Sequence, residues 1–225
     1  MNCSVATICL GLVAFGSPQA ATQGPIPEYR AVYRITTGEA VTGSADYSLS
    51  YDAAAATYTL EAKQFDEKSR QSGMTRKLEF VLVENGIRPL AYRREKGSCV
   101  ACTAAVRFSW EARAAELRYK GVRRVVPLRH DLVDELAELV AMLPGRYSLE
   151  GFGDAISSAP LGTLVLATAL GPLKTERRAL RGAVTSDVWF AQALQGLPVR
   201  VETSARKPSL WEVAELHGIG TPAAR

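Results

Sequence analysis

Residues 44–51 read SADYSLSY, and their spacing decides the fold. Ala45, Tyr47, Leu49 and Tyr51 alternate with Ser44, Asp46, Ser48 and Ser50. Period two is the signature of a strand with one buried and one wet face. A helix would bring its apolar residues back every three or four positions instead. The same alternation extends to both sides. EYRAVYRI sets Tyr29, Ala31, Tyr33 and Ile35 on one face, and TYTLEAK sets Tyr58, Leu60 and Ala62 there. KLEFVLV presents Leu78, Phe80 and Leu82, AAVRFSW presents Val106, Phe108 and Trp110, and ELRYK adds Leu117 and Tyr119.

The links between these runs are short and rich in turn residues: TTGEAVTG, DAAAA, ENGIRP and EARAA. Strands joined so tightly pair antiparallel, as a meander. One segment breaks the period. In HDLVDELAELVAMLPG, Leu132, Leu136, Leu139, Val140 and Leu143 form a helical stripe. Asp131, Asp134 and Glu135 place negative charge in its first turn, where the helix dipole favours it, and Pro144-Gly145 stops it. The expected fold is therefore mainly β, a curved antiparallel sheet (a half-barrel) covered by one amphipathic helix. Beyond the helix, GTLVLATAL reads as a central strand. TSDVWFAQALQGLPVRVET reads as strand, turn and strand, and LWEVAEL as a closing strand. RYSLEGFGDAISSAP reads as a strand remnant and a loop.

The chain has 225 residues, 47% apolar and 22% charged, with a formal net charge of +4. That is enough to bury a core, and no stretch after the N-terminus is long and apolar enough for a membrane helix. Residues 4–16, SVATICLGLVAFG, are an uncharged apolar run followed by SPQAATQGPIP. The pattern predicts a signal peptide over 1–21 and a single exported β-rich domain over 22–225, soluble in the periplasm. Export leaves Cys99 and Cys102 as the only cysteines of the mature chain, in an oxidising compartment.

Several of these segments, in order, resemble an uncharacterised family of exported bacterial proteins, domain-of-unknown-function family 3108. They are YRAVYRITTGEAVTGSADYSLSYD, GIRPLAYRRE, LRHDLVDELAELVAML, PLGTLVLAT and VWFAQALQGLPVRVE. The resemblance runs from about Tyr29 to Leu216. It implies a curved antiparallel sheet closed on one side by a helix, similar in outline to the half-barrels of periplasmic lipoprotein carriers. It brings no catalytic residues, and Cys-x-x-Cys is not a hallmark of that family.

Three readings of Cys99 and Cys102 are open. A thioredoxin-type site needs its first cysteine at a helix N-terminus, whereas the flanking YRREKGS and TAAVRFSW are strand-like. A structural zinc needs about four ligands, and the remaining candidates, His130 and His217, are isolated. A disulfide pinning the hairpin between RPLAYRRE and AAVRFSW is the expected role, contributing about 2 kcal/mol for so short a loop.

Hydrolytic chemistry finds no Gly-x-Ser-x-Gly elbow, and His130-Asp131 is the one adjacent base–acid pair. No cofactor motif occurs, so a non-enzymatic role is expected. The inward aromatic and aliphatic residues Tyr33, Tyr47, Leu49, Tyr58, Leu60, Phe80, Phe108 and Trp110 are core formers that would also line a groove for a lipid or other amphiphile. Arg118, Lys120, Arg123 and Arg124 are candidates to face anions such as lipid phosphates. Export argues against nucleic acid as a partner; an envelope protein partner is the alternative.

Overall fold

The computed structural model describes residues 26–69, 72–84, 86–97, 99–128, 134–145, 147–150, 157–181, 185–204 and 207–219. The expected signal peptide and His130 lie outside the described residues.

Eight strands come first: β1 (Tyr29–Thr37), β2 (Ala40–Asp52), β3 (Thr57–Asp66), β4 (Ser72–Val83), β5 (Gly86–Lys96), β6 (Cys99–Ser109), β7 (Ala114–Tyr119) and β8 (Val122–Pro127). The helix α1 (Asp134–Val140) follows. Then come β9 (Ser157–Thr168), β10 (Gly171–Arg181), β11 (Ser186–Ala191), a 3₁₀ turn at Gln192–Leu194, β12 (Leu197–Thr203) and β13 (Ser209–His217). All thirteen strands belong to one sheet, in the order β8-β7-β6-β5-β4-β3-β2-β1-β13-β12-β11-β10-β9. Every neighbouring pair is antiparallel.

The topology follows from two meanders. The chain steps outward from β1 to the edge strand β8, crosses through α1, and re-enters at the opposite edge, β9. It then steps back until β13 pairs with β1, with Ala31 opposite Leu216 and Tyr33 opposite Val213. That last pairing joins the first described strand to the last and makes one wall of two halves.

Alternation sets which side is core. Tyr33 stands beside Ala45, Tyr47 beside Ala62, Leu60 beside Leu78, and Tyr58 beside Phe80. All these residues are buried. Large rings opposite alanines interdigitate; Tyr33 and Tyr47 meet edge-on at 5.6 Å, and Tyr58 stacks on Phe80 at 5.3 Å. A single apolar face of this breadth must curl over its own contents to leave water, because little else covers it.

Those contents are the segment from α1 to Glu150. The sequence pattern predicts a longer helix with a wet face; α1 has two turns, and of Leu136, Ala137, Glu138, Leu139 and Val140 only Glu138 is exposed. Leu136, Leu139 and Val140 on this helix belong to the core of the sheet, while Glu138 faces water. Its last turn tightens, with Met142 and Leu143 donating to the carbonyls of Leu139 and Val140 three residues back. Tyr29 Oη donates to the Met142 carbonyl at 2.8 Å, and the Gly145 amide reaches the Gly196 carbonyl. A short strap, residues 147–150, then lies parallel to the start of β5. The Ile87 amide donates to the Ser148 carbonyl and the Glu150 amide to the Ile87 carbonyl, both at 2.9 Å. Gly86 makes that approach possible: its φ is +150°, and a Cβ there would sit 2.3 Å from the Ser148 carbonyl oxygen.

Two readings of the sequence need correction. GTLVLATAL is not central: β9 is an edge strand, and Leu161, Leu164 and Val165 are exposed. A continuous apolar run cannot by itself distinguish a buried strand from an edge. Pro160 and a bulge at Leu161 interrupt its ladder with β10, which blunts the edge against further pairing. VRRVVP, read above only for its arginines, is the strand β8, and KTERRALR belongs to the strand β10. Their cations mask the alternation beneath.

Candidate functional site

The inward candidates come together on one face. Tyr33, Tyr47, Leu49, Tyr58, Leu60, Phe80 and Phe108 are all at most 7% exposed, and Trp110 is half-buried against the same cluster. Trp110 donates its indole N–H to the Pro89 carbonyl at 2.7 Å, under the Arg88 guanidinium. Tyr33 Oη donates to the Pro198 carbonyl at 2.7 Å, stitching β1 to β12 across the interior. Burial raises the phenol pKa of Tyr29, Tyr33 and Tyr47 above the ordinary tyrosine value. These positions are sealed from solvent by their neighbours and the α1 segment.

Among the described residues, the charged side chain buried in this wall is that of Arg76. Arg76 on β4 is 6% exposed and points inward in register with Ala62, whose small side chain leaves room for the guanidinium. It passes over Ala62 to reach Tyr47 Oη at 3.2 Å, and it pairs with Glu138 of α1 at 2.9 Å. Burial pulls its pKa down, but Tyr47 and Glu138 outweigh that and the guanidinium is held firmly charged. The sequence signal for this residue is its place in the alternating stretch Arg76-Leu78-Phe80, which sets it on the inward face; its partners are far away along the chain.

Cys99 and Cys102 form a disulfide, with Cα atoms 5.2 Å apart. Both lie on β6, so the bond does not link the two strands of the hairpin. Across the β5–β6 ladder Lys96 faces Cys99 and Arg94 faces Ala104, so Glu95 alone is opposed by residues 100–103. The disulfide spans that oversized bulge, where ladder hydrogen bonds are missing and the backbone would otherwise be loose. Neither cysteine is at a helix N-terminus.

The four anion candidates divide. Arg118 and Arg123 face outward and share one carboxylate, Glu116, at 2.7 and 2.6 Å. Hydrogen bonds from Arg123 and then Arg118 hold the Glu116 carboxyl below its ordinary pKa. Arg124 is in register with the inward Leu117, and Lys120 lies in the β7–β8 turn over the Tyr119 ring at 5.2 Å.

What the sequence does not reveal is the row that Arg118 and Arg123 complete. On the outer face, Lys77, Arg93, Ala105, Arg118 and Arg123 stand directly opposite one another across five successive strands, β4 to β8. The next row is Glu79, Ala91, Arg107, Glu116 and Val125. Like charges placed opposite each other oppose strand pairing. Here that occurs twice, at Lys77–Arg93 and Arg118–Arg123. Between them the alanines 91 and 105 leave a trough of about 370 Å³, lined by Lys77, Arg93, Arg107 and Arg118 against Glu79 and Glu116, a net charge of +2. Lys77 pairs with Glu79 at 2.8 Å and Arg93 with Glu95 at 2.5 Å. Arg107 has no ion-pair partner among the described residues.

The architecture defines a class: a mainly-β domain built on one open antiparallel sheet, with one short helix among the described residues. No protein-family model matches the chain, and no curated protein matches it either. Among solved structures it is similar to a crystal structure of a β-barrel-like protein of domain of unknown function DUF1849 from Brucella abortus. The TM-score is 0.51 at 10% identity, over 85% of this chain and 97% of that one. The likeness concerns the fold: a barrel-like domain. The resemblance to family 3108 has no family match behind it.

Proposed function

We propose that this chain is an exported, non-enzymatic protein of the cell envelope that binds an anionic amphiphile on the outer face of its sheet. The supporting observation is the trough between β4 and β7, where four cations surround a floor of alanine. Its lining holds no serine, threonine, cysteine or histidine to act as nucleophile or proton shuttle. A fixed array of guanidiniums binds phosphate or carboxylate groups through bidentate hydrogen bonds. Periplasmic location rests on the N-terminal pattern, and membership of family 3108 rests on the order of the shared segments.

The half-barrel interior is the second place for an amphiphile's tail, favoured by the aromatic wall and the buried Arg76. Occupying it requires α1 to withdraw, since Glu138 already neutralises that guanidinium. A role as an envelope thiol–disulfide protein would rest on Cys99 and Cys102, and insulin reduction assays that activity directly.

Co-sedimentation with vesicles tests the main reading. The protein is expected to bind vesicles containing anionic phospholipid and not purely zwitterionic ones, with binding weakened by salt. Arg93→Gln with Arg118→Gln should abolish it. Equal binding to both vesicle types, or none to either, overturns the proposal.

A further inference from the structure

The trough has a shape that goes further, resting on the reading that it takes an anionic ligand. Its cations are not spread evenly. Lys77 and Arg93 form one lobe on β4 and β5; Arg118 on β7 lines the other, with Arg123 of β8 opposite it and outside the lining. Ala105 on β6 separates the lobes in the same row, and Ala91 lies beside it. Arg93 and Arg118 are thus two strand spacings apart, roughly 10 Å.

We propose that the ligand carries two phosphate-type groups set about this far apart on a neutral body, one group for each lobe. Each lobe places two cations face to face, an arrangement that opposes strand pairing and is offset in part by ion pairs with Glu79, Glu95 and Glu116. The second lobe is the more deficient: among the described residues Arg118 and Arg123 share the one carboxylate of Glu116. In the first lobe Lys77 and Arg93 each have a carboxylate of their own. The alanine floor accepts a neutral body such as a disaccharide or a short alkyl chain, where any longer side chain would fill the space. Arg107, in the adjacent row and without an ion-pair partner among the described residues, also lines the trough and bonds whatever bridges the two groups.

A molecular ruler tests this. α,ω-Alkanediol bisphosphates of increasing length are titrated into the full mature protein by calorimetry, beside an alkyl monophosphate. Affinity is expected to peak where the phosphates stand roughly 10 Å apart. At the peak it should exceed the monophosphate by at least about 30-fold, because the second contact becomes intramolecular. Ala105→Leu should lose binding at the peak length while the circular-dichroism spectrum stays unchanged, since the side chain only fills the outward floor. Arg118→Gln should bring the best bisphosphate down to the affinity of the monophosphate. A flat dependence on length, with the monophosphate binding as well as any bisphosphate, overturns the two-lobe inference and leaves the anion trough standing. No binding of any phosphate overturns both. Presenting the optimal bisphosphate on vesicles and in solution separates a lipid headgroup from a free solute, and tighter binding in either form supports the inference.

Discussion

Glu138→Ala isolates the energetic consequence of the buried Arg76. The Arg76 side chain is 7% exposed, while the Glu138 side chain is 51% exposed, so the pair has a dry end and a wet end. Removing one partner of a fully buried pair costs about 3–5 kcal/mol, because the other charge is left unpaired in a low dielectric. Here the Tyr47 hydroxyl still accepts one hydrogen bond and water reaches the vacated carboxylate position, so the loss should be about 2 kcal/mol. For a domain of this size that is a fall in Tm of about 4–8 °C. Alanine is the best helix former, so α1's intrinsic propensity does not confound the result. Arg76→Met should behave differently. It removes the dry charge and fills its space, while Glu138 remains free to hydrate, so stability should stay within about 1 kcal/mol of wild type. The double variant should match Arg76→Met and not the sum of the two. Urea denaturation followed by circular dichroism and tryptophan fluorescence gives all the corners of the cycle. Equal losses from both single variants, or strict additivity in the double, would refute the claim that an uncompensated guanidinium is the source of the cost.

Two further outcomes follow from the interior. Gly86→Ala puts a Cβ 2.3 Å from the Ser148 carbonyl, so the strap must move and both hydrogen bonds to Ile87 are lost. The loss should be about 2–3 kcal/mol, read as faster hydrogen exchange at the Ile87 and Glu150 amides; unchanged protection at both counts against the strap's role. The second outcome concerns alkali. The folded-state phenol pKa values of Tyr29, Tyr33 and Tyr47 are raised by burial, and that of Tyr147 is raised to about 12, also by burial. The folded state therefore holds protons that the unfolded chain releases. This stabilisation is complete below about pH 10 and is lost as pH rises through the folded values. Tyrosinate absorbance should lag that of the urea-unfolded chain and then rise together with loss of the circular-dichroism signal. A titration identical to the unfolded chain's would show these rings to be accessible.

Local alternation settled most of the wall. SADYSLSY, TYTLEAK and KLEFVLV could bury Tyr47, Leu60 and Phe80 in only one way, since a slip of one residue would turn every side chain over. The inward set was therefore legible before any strand was placed beside another. The same rule failed in β8 and β10, because arginines stand on both faces there and dilute the contrast: Arg123 is outward, whereas Arg124 is opposite the inward Leu117 and Arg178 opposite the buried Val188. It also misplaced β9, whose apolar residues look alike whether a neighbour covers them or water does.

Pairing across strands was not legible. That Arg93 stands opposite Lys77, and Arg118 opposite Arg123, depends on registers set by turn lengths and bulges, including the bulge spanned by Cys99 and Cys102. The sequence alone therefore determined which side of each strand is dry, because that depends on neighbours two residues away along the chain. Only the tertiary structure decided which charges share a trough and which helix carboxylate meets Arg76. Those contacts join residues far apart along the chain, and their distances depend on how the whole sheet is assembled.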